Sequence, residues 1–220
     1  MDQRVFAIGD IHGCFSQFKE MVERHINLVK ADKLILLGDY IDRGRNSKKV
    51  IDYIIELQNS GYDVIPLMGN HEAMLLDALA DPPGVTLWFL NGGTKTMQSF
   101  GIKRLNEFDP FYIDFFRNLP YYYEIDNFLF VHAGFNDEIE NPFSDKRTML
   151  WNSSQRYQHP LLVDKTIIHG HQTIKLAVLH ECIDSKAQVI NIDTGCVYAQ
   201  HEDYGRLTAI EVNSFTTITI

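Results

Sequence analysis

Three short, largely apolar runs in the first seventy residues (5–8, 33–37 and 63–68) each stop at a glycine and pass straight into a polar side chain, giving Gly9-Asp10, Gly38-Asp39 and Gly69-Asn70. Glycine at a strand end allows the backbone to turn sharply and approach a neighbour closely. Between the runs lie segments of helical spacing. In 15–26 the apolar face is Phe15, Phe18, Met21, Val22 and Ile26, and in 47–57 it is Val50, Ile51, Ile54 and Ile55. The pattern predicts a β-α-β-α-β series, hence a sheet with covering helices and a crevice at the carboxyl ends of its strands.

The chain has 220 residues with 45 % apolar content, enough for one domain spanning 1–220 with a substantial core. Twenty Lys and Arg against twenty-nine Asp and Glu leave a net charge of −9. That balance argues against DNA or RNA as a partner, because there is no basic excess to displace counterions from phosphates. An anionic substrate then needs a local positive site. No apolar stretch approaches the roughly 20 residues of a membrane span, and no leader-like pattern follows Met1, so the expectation is a cytoplasmic protein without a membrane partner. Cys14, Cys182 and Cys196 are sparse and lack C-x-x-C spacing, as befits free thiols in a reducing compartment.

Further along, helical patterns cover 71–80, ending at Asp81-Pro82-Pro83-Gly84, and 85–100, ending at Gly101. After Pro120 the pattern turns to strands at 121–125, 128–132, 166–169, 188–192, 207–212 and 215–220, while 135–164 reads as irregular. Tyr121, Tyr122, Tyr123 and Trp151 read as sheet and core packing. Two of the later strands also end in polar residues beside glycine: Val131-His132-Ala133-Gly134 and His169-Gly170-His171-Gln172.

Five strand ends thus supply Asp10, His12, Asp39, Asn70, His132 and His171. Singly, each is an ordinary loop or core residue. Together they form a carboxylate, imidazole and amide set suited to divalent ions, and one carboxylate can bridge two of them. In this arrangement the blocks 9–13 (GDIHG), 38–44 (GDYIDRG) and 69–72 (GNHE), followed by two histidines, resemble the phosphoprotein phosphatases of the metallophosphoesterase group, and in particular their small bacterial and phage-type serine/threonine members.

The resemblance runs from Gly9 to His171 and on towards Asn191–Gly195. It implies an α/β fold, in which a calcineurin-like β-sandwich of two mixed sheets is flanked by helices and carries its site at the strand C-terminal ends. It also implies that Asp10, His12 and Asp39 hold one metal and Asp39, Asn70, His132 and His171 a second, with manganese the first expectation and iron, zinc or cobalt admissible. Further, it makes His71 the general acid oriented by Asp42, makes Arg43 and Asn70 substrate-binding, and has a bridging water attack phosphorus directly. A general acid contributes about 10²–10⁴ of an acceleration that reaches about 10²¹ for phosphate monoesters, so the ions carry the larger share.

Duller roles remain open for several residues. Asp42 can cap a helix near Asn46 or pair with Arg43; Glu72 reads as a helix cap; His169 is either a supporting donor or an ordinary strand end. The sequence also departs from the family pattern: Met68 stands where an arginine commonly precedes GNHE, and no arginine follows Leu150-Trp151 closely, which leaves Arg156 as the substitute phosphate contact. The leading expectation is a protein phosphatase acting on phosphorylated proteins or peptides. A nucleoside-polyphosphate hydrolase of the diadenosine-polyphosphate type is the alternative, and a non-catalytic phospho-ligand sensor is a third reading. Glu72 tilts against the symmetric hydrolases, which more often carry Asp there.

Overall fold

The computed structural model describes residues 3–220. Two mixed sheets lie at its centre. In the first sheet, β1 (Val5–Ile8), β2 (Lys33–Leu36) and β3 (Asp63–Pro66) run parallel, and β8 (Thr208–Glu211) and β9 (Thr216–Thr219) add antiparallel on the far side of β1, in the order β3-β2-β1-β8-β9. The second sheet is β4-β5-β6-β7, built from β4 (Tyr122–Ile125), β5 (Phe128–Val131), β6 (Thr166–His169) and β7 (Val189–Asn191), with only the β4–β5 pair antiparallel.

Side chains alternate across a strand with period two, and that alternation sorts the core into layers. From β1 and β2, Val5, Ala7, Ile35 and Leu37 face the second sheet and meet Phe130, Ile168 and Ile190 there. Phe6, Ile8, Leu34 and Leu36 face outward instead and are covered by helices. On the outer face of the second sheet, Leu129, Val131 and Ile167 pack beneath Phe135, Met149, Tyr157 and Leu162. Each such side chain, fully withdrawn from water, stabilises the fold by roughly 1.5–3 kcal/mol.

The helices over the first sheet are α1 (Phe15–Glu20), α2 (Ser47–Asn59), α3 (Asn70–Ala80), α4 (Pro82–Leu90), α5 (Gly93–Phe100) and α6 (Pro110–Arg117); α7 (Lys146–Trp151) and α8 (Leu176–Asp184) belong to the second half. The helix expected across 15–26 widens after Glu20 into a π turn, with Ile26 N–H donating to Met21 five residues back. The single helix expected over 85–100 is two. Pro82 opens α4 at a position where its missing N–H is harmless, and Asn91-Gly92 breaks the chain, Gly92 taking φ +106°. The irregular stretch 135–164 contains α7, whose first turn is capped by the Asp145 carboxylate accepting from Thr148 N–H. The helix α8 falls in a stretch for which the apolar spacing gave no reading. Cys14, Cys182 and Cys196 are free thiols, and among the described residues no helix is long and apolar enough to cross a membrane.

Candidate metal centre

The loops after β1, β2 and β3 are clamped to one another by backbone hydrogen bonds. Ile11 and His12 N–H both donate to Asp39 O, at 3.1 and 2.7 Å, and Gly13 N–H donates to Tyr40 O at 2.8 Å. The Tyr40 hydroxyl donates to Leu67 O at 2.7 Å, joining the ends of β2 and β3. Close approach is obligatory at Gly38, where φ is +101° and a Cβ would lie 2.7 Å from the Gly69 backbone. From the second sheet, Gly170 N–H donates to His132 O at 2.9 Å, which fixes the β5 and β6 ends side by side.

Around Asp39 these loops assemble two groups of ligating atoms, His12, Asp39 and His71 in one and Asp39, His132 and His171 in the other, each drawn within 4.8 Å. Asp39 belongs to both. Its Oδ2 lies 3.5 Å from His12 Nε2 and its Oδ1 3.5 Å from His132 Nε2. Asn70, the first residue of α3, presents its amide to His132 Nε2 at 2.8 Å and His171 Nδ1 at 3.1 Å, and these two nitrogens are 3.2 Å apart.

The outer nitrogens of two imidazoles are already committed: His12 Nδ1 bonds Ile41 O and His132 Nδ1 bonds Leu37 O, each at 2.8 Å. Those bonds leave the inward nitrogens as lone pairs, the arrangement in which histidine binds metals. With the Asn70 oxygen turned inward the set contains acceptors only, and a cation is what satisfies it; turned over, Nδ2 donates to both imidazoles and to the Asp39 oxygens at 3.2 and 3.3 Å. The residues therefore fit divalent ions in donor chemistry and in number.

Electrostatics agree with that reading. Burial raises the Asp39 carboxyl, but His132, His71 and His12 outweigh it and hold Asp39 below the ordinary carboxylate range. Burial keeps the imidazoles neutral: His171 and His169 are lowered to about 4, and His12 and His132 are lowered too. Burial followed by repulsion from Asp193 and Asp39 pushes Asp10 well up.

The remaining expected residues surround this cluster. Asp10 is buried beside it, and both its oxygens accept from His171 N–H, at 3.1 and 3.2 Å, which braces the His171 loop. Arg43 places Nη1 2.8 Å from His12 Nε2, at the edge of the first group. Arg156 is exposed, and its bonds are with Ser154 in a local turn; among the described residues Arg43 is the arginine in contact with the cluster. Trp151, expected in packing, is 38 % exposed, with its ring edge-on to His171 at 6.1 Å between centroids.

Asp42 neither caps α2 nor pairs with Arg43. Its Oδ2 lies 2.7 Å from His71 Nδ1. His71 Nε2 is, among the described residues, the buried side-chain polar atom without a partner, and it lies on the cluster side, 3.8 Å from Asp39 Oδ2. Among the described residues the His169 ring bonds the adjacent Gly170 O, at 3.0 Å.

Two residues do more than the sequence disclosed. Glu72 caps α3 through Gly69 N–H at 3.1 Å but also accepts from Asp39, Tyr40 and Ile41 N–H at 2.9, 2.8 and 3.2 Å, clasping the whole Asp39 turn. Burial, then Asp39, pushes its carboxyl up to about 8. Asp193 accepts from Gly195 N–H at 2.8 Å and Thr173 Oγ1 at 3.0 Å beneath Asp10, and burial lifts it to about 6. Its place in the 191–195 block was the available signal; for the clasp by Glu72 there was none beyond the GNHE spacing.

The calcineurin-like phosphoesterase family model matches residues 3–199. The chain belongs to that family. It is 29 % identical over 205 residues to serine/threonine-protein phosphatase 2 of Salmonella typhimurium, covering 88 % of each chain. It is also 24 % identical over 237 residues to the asymmetrical bis(5'-nucleosyl)-tetraphosphatase of Anoxybacillus flavithermus, covering 97 % of this chain and 92 % of the other. Among solved structures, a protein serine/threonine phosphatase from Saccharomyces cerevisiae superposes with a TM-score of 0.70 at 13 % identity, over 100 % of this chain and 79 % of that one, a likeness of fold. As a metallophosphoesterase the chain is a hydrolase of phosphate esters or anhydrides that works with divalent metal ions.

Proposed function

We propose that this metallophosphoesterase is a phosphomonoesterase acting on phosphoserine and phosphothreonine in proteins or peptides, with two divalent ions, manganese first among them. The observation that carries the dinuclear part is the single carboxylate of Asp39 shared by two donor groups. His12, Asp39 and the neighbouring Asp10 would hold one ion, and Asp39, Asn70, His132 and His171 the other. When bound, the ions supply an activated water and Lewis-acid stabilisation of charge on the phosphoryl oxygens.

The chain's own residues do the rest. Arg43, beside His12, meets the phosphoryl oxygens with a fixed charge and forked donors, and Asn70 joins it. His71 Nε2 gives a proton to the departing oxygen as the phosphorus–oxygen bond breaks, and Asp42 holds the opposite nitrogen so that Nε2 keeps facing the cluster. Water adds to phosphorus, the alcohol leaves neutral, and His71 recovers its proton from solvent. No side-chain nucleophile is required. Similarity to a serine/threonine-protein phosphatase over 88 % of each chain supports the protein-phosphatase reading.

A second reading, hydrolysis of nucleoside polyphosphates, is favoured by the similarity to the asymmetrical bis(5'-nucleosyl)-tetraphosphatase and by the exposed indole of Trp151 at the rim of the cluster, which offers a face on which a base can stack. Turnover of a phosphoserine peptide against diadenosine tetraphosphate, both with manganese, separates the two. A higher kcat/KM on the peptide is expected. Preference for the dinucleotide would replace the first reading, and a protein that binds phosphate without turning over either would be a sensor.

A further inference from the structure

The α4–α5 hairpin supplies nothing to the donor groups, yet it holds the partner of the acid. Asp42 is fully buried, and among the described residues no ammonium or guanidinium group pairs with its carboxylate. Three other donors do so instead: His71 Nδ1 at 2.7 Å, Trp88 Nε1 at 2.9 and 3.1 Å to the two oxygens, and Thr96 Oγ1 at 2.5 Å. Thr96 also accepts from Asp42 N–H at 2.8 Å, so it grips the residue by backbone and side chain together.

That grip has something to hold. Asp42 and Arg43 are consecutive non-glycine residues in the left-handed region, at φ 69° and 61°, a conformation that persists only when surroundings impose it. The hairpin also fits this turn closely. A Cβ on Gly92 would lie 2.7 Å from Arg43 N, and one on Gly93 would run into the Trp88 ring. The burial of Trp88 is particular to it: of the α4 side chains described it alone is buried, while Leu87, Phe89 and Leu90 around it are exposed. The helix is thus anchored by an indole whose N–H ends on Asp42.

We infer that Trp88 and Thr96 are positioning residues for the general acid: their donors fix the Asp42 carboxylate against rotation, and through it hold His71 Nε2 on the line of the departing oxygen. The inference rests on the reading of His71 as that acid. Without those donors the carboxylate can turn, His71 loses its register, and proton delivery falls while phosphate binding, which uses other groups, does not.

Leaving-group dependence tests this. The nitrophenolate of p-nitrophenyl phosphate departs with little help from a proton, whereas the phenolate of phenyl phosphate needs one. Trp88→Phe removes the N–H and keeps the packing; Thr96→Val is isosteric and tests the same point through a smaller change. With manganese present, each is expected to raise the ratio of kcat on p-nitrophenyl phosphate to kcat on phenyl phosphate about tenfold, leaving KM and bound manganese unchanged. His71→Asn should raise the ratio further, and adding Trp88→Phe to it should have no additional effect, because both act through one proton. Equal losses on both substrates, or a wild-type ratio in Trp88→Phe and Thr96→Val while His71→Asn raises it, would overturn the inference and leave the acid assignment intact. A wild-type ratio in His71→Asn would instead remove the acid assignment, and this inference with it.

Discussion

Replacing Glu72 by Gln keeps size and shape while halving its capacity to accept. The carboxylate takes four backbone N–H groups, Gly69 and Asp39 on one oxygen and Tyr40 and Ile41 on the other, at 2.8–3.2 Å. An amide offers one oxygen, so whichever way it turns, two buried N–H donors face an NH₂ group. A hydrogen bond to a charged group contributes about 1.5–3 kcal/mol, and a donor left without a partner forfeits that in full. Two such losses come to roughly 3–6 kcal/mol, much of the ~5–15 kcal/mol by which domains are stable. A mere helix cap would be worth only about 0.5–2 kcal/mol. Urea unfolding of the metal-free proteins at about pH 9, above the range in which the Glu72 carboxyl takes up its proton, measures the difference, with the slope on denaturant unchanged. Because the clasped turn carries Asp39, at φ 54°, the variant should also hold less manganese at limiting metal. A loss below about 1 kcal/mol with full metal content would refute the clasp and return Glu72 to a simple cap.

Asp39→Asn, which takes a charged oxygen from both donor groups, should lose the paired ions, and elemental analysis showing two retained ions would contradict the bridge. His71→Asn should keep the metal and slow turnover about 10²-fold or more, read from steady-state kinetics. In the metal-free protein the Glu72 carboxyl is raised from its ordinary range to about 8, so the folded state binds more protons than the unfolded chain between about 4.5 and 8, and stability contributed by this group falls as pH rises through that window. Manganese binding at pH 7 should therefore release protons, measurable by titration calorimetry in buffers of differing ionisation enthalpy, and Glu72→Gln should reduce the release. Gly38→Ala, which forces a Cβ against the Gly69 backbone at φ +101°, should cost roughly 2–5 kcal/mol in the same urea assay.

Much of this site could be read from the chain because strand-end ligands sit beside glycines at fixed offsets, so Asp39, Asn70, His71, His132 and His171 announce themselves by local pattern. The β-α-β-α-β start follows from apolar spacing in the same way, whereas the pairing of two mixed sheets was implied by the family resemblance. What stayed hidden depends on contacts across long separations. Nothing in the spacing of Trp88 and Thr96 shows that they reach back 46 and 54 residues to Asp42. The break at Asn91-Gly92 was masked by helical periodicity on either side, yet it is the bend that brings Trp88 and Thr96 to one carboxylate. Trp151 reads as core by hydropathy and is exposed because its helix ends at the rim of the cluster. Asp10 keeps its place at the end of β1, but its rotamer is set by the His171 backbone, which lies 161 residues away.

Anomalous scattering from crystals grown in excess manganese addresses the dinuclear claim without passing through kinetics. Two peaks are expected about 3.5–4 Å apart, with Asp39 between them, His12 at one side and Asn70, His132 and His171 at the other. A single peak, or metal bound away from Asp39, would contradict the shared-carboxylate centre on which the proposed chemistry stands.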